Sequence, residues 1–117
     1  MAPPRFDVLG IGNAIVDVLA RTEEDFLVRN GLVKGSMRLI DTAEAERLYG
    51  AMAAAIEISG GCAGNTAAGV ASFGGRAAFI GKVADDQLGA IYRHDMAGTG
   101  VAFATRRWPA PRRQPAR

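Results

Sequence analysis

Cysteine is almost absent: Cys62 is the single one in 117 residues. An internal disulfide framework is therefore excluded, and a lone thiol suits a reducing compartment. Histidine is equally scarce, and His94 falls on the surface of an expected helix. No apolar run reaches the roughly 20 residues needed to span a bilayer. The opening Met1-Ala2-Pro3-Pro4-Arg5 runs straight into a strand-like segment without a signal-peptide apolar core. These absences lead to the expectation of a cytoplasmic protein with no membrane partner. Acidic residues are missing from the end of the chain, since all 12 lie at or before Asp95. Arg106, Arg107, Arg112, Arg113 and Arg117 crowd residues 105–117, and without these five the 14 basic residues fall to nine, a body charge of −3. The formal charge of +2 thus belongs to the tail. Nucleic-acid binding needs a basic face on the folded body, and the body offers none.

What is present is an ordinary globular composition, 49% hydrophobic and 22% charged. Phe6 to Gly12 is a short apolar run ending in glycine, the pattern of a buried strand. Ile15 to Ala20 predicts a second strand, interrupted only by Asp17. Thr22 before Glu23, Glu24 and Asp25 predicts an N-cap with acids at the positive end of the helix dipole. That helix should bury Phe26 and Leu27 and end at Asn30-Gly31. Val33 to Ile40 reads as a strand with Met37 and Leu39 on one face. Asp41 and Glu44 fit a capping arrangement for the next helix, with Leu48, Met52 and Ile56 as a one-sided apolar stripe.

A glycine-rich turn, Gly60-Gly61-Cys62-Ala63-Gly64-Asn65, follows, and a helix is expected from Thr66 to Phe73. Arg76 to Gly81 predicts another strand. Asp85 or Asp86 can cap a helix whose Leu88, Ile91, Tyr92 and Met96 share one side. Val101 to Ala104 starts one more strand. Alternating strands and helices of this length predict an α/β fold with a largely parallel sheet covered by helices. The body is expected to span residues 1–104. Residues 105–117, with three prolines and no apolar periodicity, are expected to be a disordered tail.

Two constellations could carry chemistry. Gly10-Ile11-Gly12-Asn13-Ala14-Ile15-Val16-Asp17 sits where the first strand ends, and parallel α/β sheets bind ligands outside the carboxyl ends of their strands. A carboxylate at Asp17 can accept from two neighbouring hydroxyls, and Asn13 adds one acceptor and two donors. Together they suit a polyol. The alternative is an Asx-turn at Asn13 and a solvated or satisfied turn residue at Asp17. In the second constellation, Gly60 and Gly61 permit close backbone approach and positive φ, with Asn65 within reach of the same ligand. The alternative there is a tight strand-to-helix turn. The segment is neither a Walker A sequence nor a complete dinucleotide fingerprint.

Taken together, these segments resemble the PfkB family of carbohydrate and nucleoside kinases, with the ribokinase-like fold. Gly12-Asn13-x-x-x-Asp17 resembles the family's first substrate motif, and Gly60-Gly61-Cys62-Ala63-Gly64-Asn65-Thr66-Ala67 its di-glycine signature. Gly74-Gly75-Arg76 and Gly81-Lys82-Val83-Ala84-Asp85-Asp86-Gln87-Leu88-Gly89 follow in the family's order and spacing. The resemblance covers residues 6 to about 104, and is greatest to adenosine-kinase-like and other nucleoside or sugar kinases. It implies phosphoryl transfer from Mg²⁺-ATP to a hydroxymethyl group. It also implies that Asn13, Asp17, Gly60, Gly61 and Asn65 hold the hydroxyls of a small sugar or nucleoside. The strand around Met37 to Ile40 would belong to a small β lid. Ala84 and Cys62 depart from residues frequent in the family, and both changes are small.

The family's base and anion hole lie in a Gly-x-Gly-Asp type motif at a helix N-terminus, and these 117 residues contain none. No residue here is assigned a catalytic, nucleotide-binding or metal-ligating role. The arginine- and proline-rich end has the composition of a GC-rich reading frame shifted out of phase, so a truncated kinase, inactive alone, is expected. A non-catalytic binder of the same ligands is the alternative. The uncovered sheet edge of such a fragment would favour self-association.

Overall fold

In the computed structural model, which describes residues 2–105, two aspartates start helices as the sequence predicts. Asp41 Oδ1 accepts from the Glu44 N–H at 2.8 Å, and Asp86 Oδ1 from the Gly89 N–H at 2.8 Å. Each satisfies a backbone donor that a helix start leaves open. The elements run β1 (Val8–Ile11), β2 (Ile15–Ala20), α1 (Glu24–Arg29), α2 (Thr42–Ala51), β3 (Ala55–Gly60), α3 (Cys62–Ser72), β4 (Ala77–Ile80) and α4 (Gln87–Gly98). β1 and β4 pair in parallel, from Val8 opposite Ala77 to Ile11 opposite Ile80. A single parallel bridge joins Ala78 to Ala102, where the sequence predicts another strand. β2 and β3 form a second two-stranded sheet.

The chain divides into two compact units, one of residues up to Asp17 with those from Glu57 onward, the other of residues 18–56. In the first unit α3 packs on both β1 and β4. Its small residues Ala63 and Ala67 allow that approach, and Tyr92, Phe79 and Met96 are fully buried beside it. Phe79, Tyr92 and Phe103 form a ring cluster with centroids 5.3–6.0 Å apart, Phe79 tilted against Tyr92 and stacked on Phe103, and Tyr92 edge-on to Phe103. Burial pushes the Tyr92 hydroxyl's pKa up.

The second unit buries Phe26 and Leu48. Asn30 ties its helices together: Asn30 Nδ2 donates to the Phe26 carbonyl at 2.8 Å, and Arg47 Nη1 donates to Asn30 Oδ1 at 2.8 Å. Lys34 pairs with Glu24 at 2.6 Å, and Arg38 pairs with Glu44.

Four expectations change. The N-cap of α1 is Glu23, not Thr22, and no side chain caps it; Glu24 and Asp25 still occupy the first turn. Residues 33–40 form no strand. The Ser36 N–H and Oγ both bond to the Val33 carbonyl in a turn, at 3.2 and 2.7 Å. Met37 and Leu39 are 88% and 91% exposed, and no described strand offers this segment a ladder. α2 stops at Ala51, so Met52 becomes its C-cap and Ile56 moves into β3. α3 begins at Cys62, four residues before Thr66. The proposed disordered tail falls, from residue 106 onward, outside the described residues. Among those described, no helix is long and apolar enough to cross a membrane.

Asp7 and Arg76 close the first unit beside the β1–β4 pair. Arg76 Nη2 donates to Asp7 Oδ1 at 2.8 Å, and the Arg76 backbone N–H donates to Oδ2 at 2.8 Å. The side-chain bond foremost, then the backbone bond, hold the Asp7 carboxyl below the usual carboxylate range. A depressed folded pKa contributes stability that is fully present above the unfolded value, about 3.9, and lost as pH falls through the lower folded value. Asp7→Asn should remove this acid-side loss. In urea unfolding across the acid range, the stability gap between wild type and variant should shrink below about pH 4; a gap independent of pH would contradict the assignment.

Candidate functional site

The strand-to-helix turn at Gly60-Gly61 is built by a backbone conformation only glycine adopts without strain. Gly61 has φ +87°, and a Cβ there would lie 2.9 Å from the Asn13 carbonyl oxygen. That φ lets β3 pass directly into α3, so residues 62–65 form the first helical turn rather than an extended loop. The Asn65 N–H donates to the Gly61 carbonyl at 2.8 Å, which places Asn65 one turn beyond Gly61. Asn65 and Cys62 are both exposed there.

Asp17 arrives from β2. Side chains alternate along a strand, and the burial of β2 follows that period: Val16, Val18 and Ala20 half-buried, Ile15, Asp17 and Leu19 exposed. The Asp17 carboxylate occupies the space a side chain at Gly60 would need. A Cβ on Gly60 would overlap Asp17 Oδ2 and lie 3.1 Å from its Cγ. The carboxylate is open to solvent, and among the described residues no hydrogen bond falls on it. Its acceptors are therefore available to a ligand's hydroxyls.

The structure thus brings together Asn13 with Gly61 and Asp17 with Gly60, all within the first unit, and sets Asn65 on the adjoining helical turn. Gly12 has a packing role: a Cβ there would be 2.9 Å from the Ala63 Cβ of α3. Cys62 is a free, exposed thiol, and His94 is exposed on α4. Asp86 caps α4.

These side chains can accept hydrogen bonds at Asp17 and both donate and accept at Asn13 and Asn65, chemistry that suits a polyol. They offer little else. Among the described residues no group of three His, Cys, Asp or Glu could hold a metal ion. No Gly-x-Gly-Asp sequence occurs in these 117 residues either. One contact escaped the sequence reading: the Ser59 N–H donates to Asp95 Oδ2 at 2.8 Å. The only trace of it in the sequence is an acid in the last turn of a helix, where the dipole disfavours one.

The chain is similar to known proteins. The model of the pfkB family carbohydrate kinases matches residues 15–111. An adenosine kinase structure from Sinorhizobium meliloti is 58% identical, with a TM-score of 0.75, over 92% of this chain and 33% of that one. A probable sugar kinase structure from Rhizobium etli CFN 42 is 53% identical, with a TM-score of 0.74, over 90% of this chain and 32% of that one. A 5-dehydro-2-deoxygluconokinase of Lacticaseibacillus casei is 33% identical over 99 residues, 85% of this chain and 24% of that protein. The chain therefore spans about a third of the solved relatives' length and a quarter of the curated relative's.

Two alanine substitutions should separate fold from site. Gly61→Ala forces a left-handed φ on an L-residue against the Asn13 carbonyl, and should destabilise by about 1–3 kcal/mol. Gly60→Ala displaces the Asp17 carboxylate, which has solvent to move into. It should cost little stability while weakening any ligand that Asp17 holds. Urea unfolding beside ligand titration measures both, and equal destabilisation by the two variants would contradict the distinction.

Proposed function

The chain belongs to the pfkB family of carbohydrate kinases, and from that membership we propose that residues 1–104 are the substrate-binding, N-terminal part of an ATP-dependent kinase. Its substrate class is a sugar or nucleoside, and the adenosine kinase of S. meliloti, 58% identical, favours a ribonucleoside. The observation that carries the reading is the Asp17 carboxylate set against a Gly60 that leaves no room for a side chain. A carboxylate so placed, solvent-open and free of other bonds, accepts from both members of a vicinal diol. Asn13, Gly61 and Asn65 complete the proposed substrate set, Gly61 through its backbone and the two asparagines through their amides.

ATP and Mg²⁺ are the phosphoryl donor and ion of this family resemblance. None of the five proposed substrate residues is offered as a base for the attacking hydroxyl. A second reading, a sugar or nucleoside binder without phosphoryl transfer, rests on the same residues. ATP consumption in the presence of ligand separates the two. A cytoplasmic setting and self-association belong to the same proposal. The latter is supported by the exposed apolar side chains Leu9, Ile11 and Ile80 of the β1–β4 sheet.

Calorimetric titration with adenosine, ribose and fructose tests the reading. Adenosine should bind, and Asp17→Ala should weaken it about 10- to 100-fold, the range expected for loss of hydrogen bonds to a charged group. Absence of heat with all three ligands at millimolar concentration, or unchanged affinity in the variant, would count against it.

A further inference from the structure

We propose that Asp95 is a positioning residue for the ligand site, acting through the backbone of Ser59. This rests on reading the Gly60-Gly61 turn as the substrate-binding element. Asp95 lies in the last turn of α4, half-buried, where no basic residue stands. An acid at a helix C-terminus faces the negative end of the dipole, so its place there needs a compensating donor. Ser59 supplies one: its N–H donates to Asp95 Oδ2 at 2.8 Å, across 36 residues of sequence. A backbone donor at a half-buried strand end is costly to leave unpaired.

The position of this bond gives it consequence. Ser59 immediately precedes Gly60, against which the Asp17 carboxylate lies, and Gly61, which faces the Asn13 carbonyl. No side chain on Gly60 or Gly61 can anchor the turn from within. α4 is itself fixed by Tyr92 and Met96, both fully buried in the core. The Asp95 carboxylate therefore ties the end of β3 to a rigid helix, and sets the distance between the di-glycine backbone and Asp17. What the bond requires at position 95 is an acceptor oxygen rather than a negative charge, so Asn can replace Asp where Ala cannot.

The test uses the full chain, with adenosine as probe and Asp95→Ala and Asp95→Asn as variants. In Asp95→Ala, the Ser59 amide should exchange with solvent faster, the Gly60 and Gly61 amide resonances should move, and adenosine affinity should fall about tenfold. Asp95→Asn should keep all three near wild type. Unmoved Gly60 and Gly61 resonances in Asp95→Ala would overturn the proposal, as would an Asp95→Asn as impaired as the alanine variant. If the wild type gives no adenosine response, the ligand reading fails, and the glycine resonances of the free proteins still decide the positioning role. If Asp95→Ala does not fold, a through-hydrogen-bond coupling between the Ser59 nitrogen and the Asp95 carboxyl carbon in the wild type supports the proposal, and its absence overturns it.

Discussion

A carboxylate and a glycine that cannot share their space with a Cβ set the terms for this molecule. Asp17 comes from β2 and Gly60 from the end of β3, and their closeness requires that Gly60 carry no side chain. Gly61 must then turn the chain with a positive φ, which starts α3 at Cys62. α3 in turn presents Ala63 and Ala67 to the β1–β4 pair and to the aromatic core. The contact of Asp17 with Gly60 and the packing of the first unit therefore depend on the same short stretch. A larger residue at 60 would disturb the carboxylate, and one at 61 would disturb the helix start.

The core beneath explains why the Gly60-Gly61 turn can hold its shape. Phe79, Tyr92 and Phe103 fill the space that small residues on α3 leave. A Cβ on Gly64 would lie 2.6 Å from the Tyr92 hydroxyl, so this helical turn also has no slack. Rigid elements hold groups more exactly in place than loops do, and here Gly60 and Gly61 join a strand to a helix. In a pfkB family member spanning a third of its solved relatives' length, this sets the proposed substrate turn on a packed base.

Much of this was legible in the sequence, for identifiable reasons. Asp41 and Asp86 start helices through local hydrogen bonds three residues long, and β1, β2 and β4 are short apolar runs bounded by glycine or polar residues. Asp17, Asn13, Gly60, Gly61 and Asn65 stood out as chemistry-bearing residues and as parts of a family motif. What escaped depended on partners distant in sequence or on a single dihedral. Residues 33–40 alternate like a strand, but a strand also needs a neighbour to pair with. The early start of α3 follows from one φ at Gly61. The bond from Ser59 to Asp95 joins two elements 36 residues apart, and its one local sign is an acid near the end of α4, which names no partner. Even the contact of Asp17 with Gly60 required the pairing of β2 with β3, although each residue was marked on its own.

The most direct measurement is a crystal structure of the chain with adenosine. Both ribose hydroxyls should lie within about 2.5–3.0 Å of the Asp17 carboxylate oxygens, with the sugar over Gly60 and Gly61 and an Asn65 amide in contact. A nucleoside bound elsewhere, or bound at the turn with Asp17 facing only solvent, would contradict it.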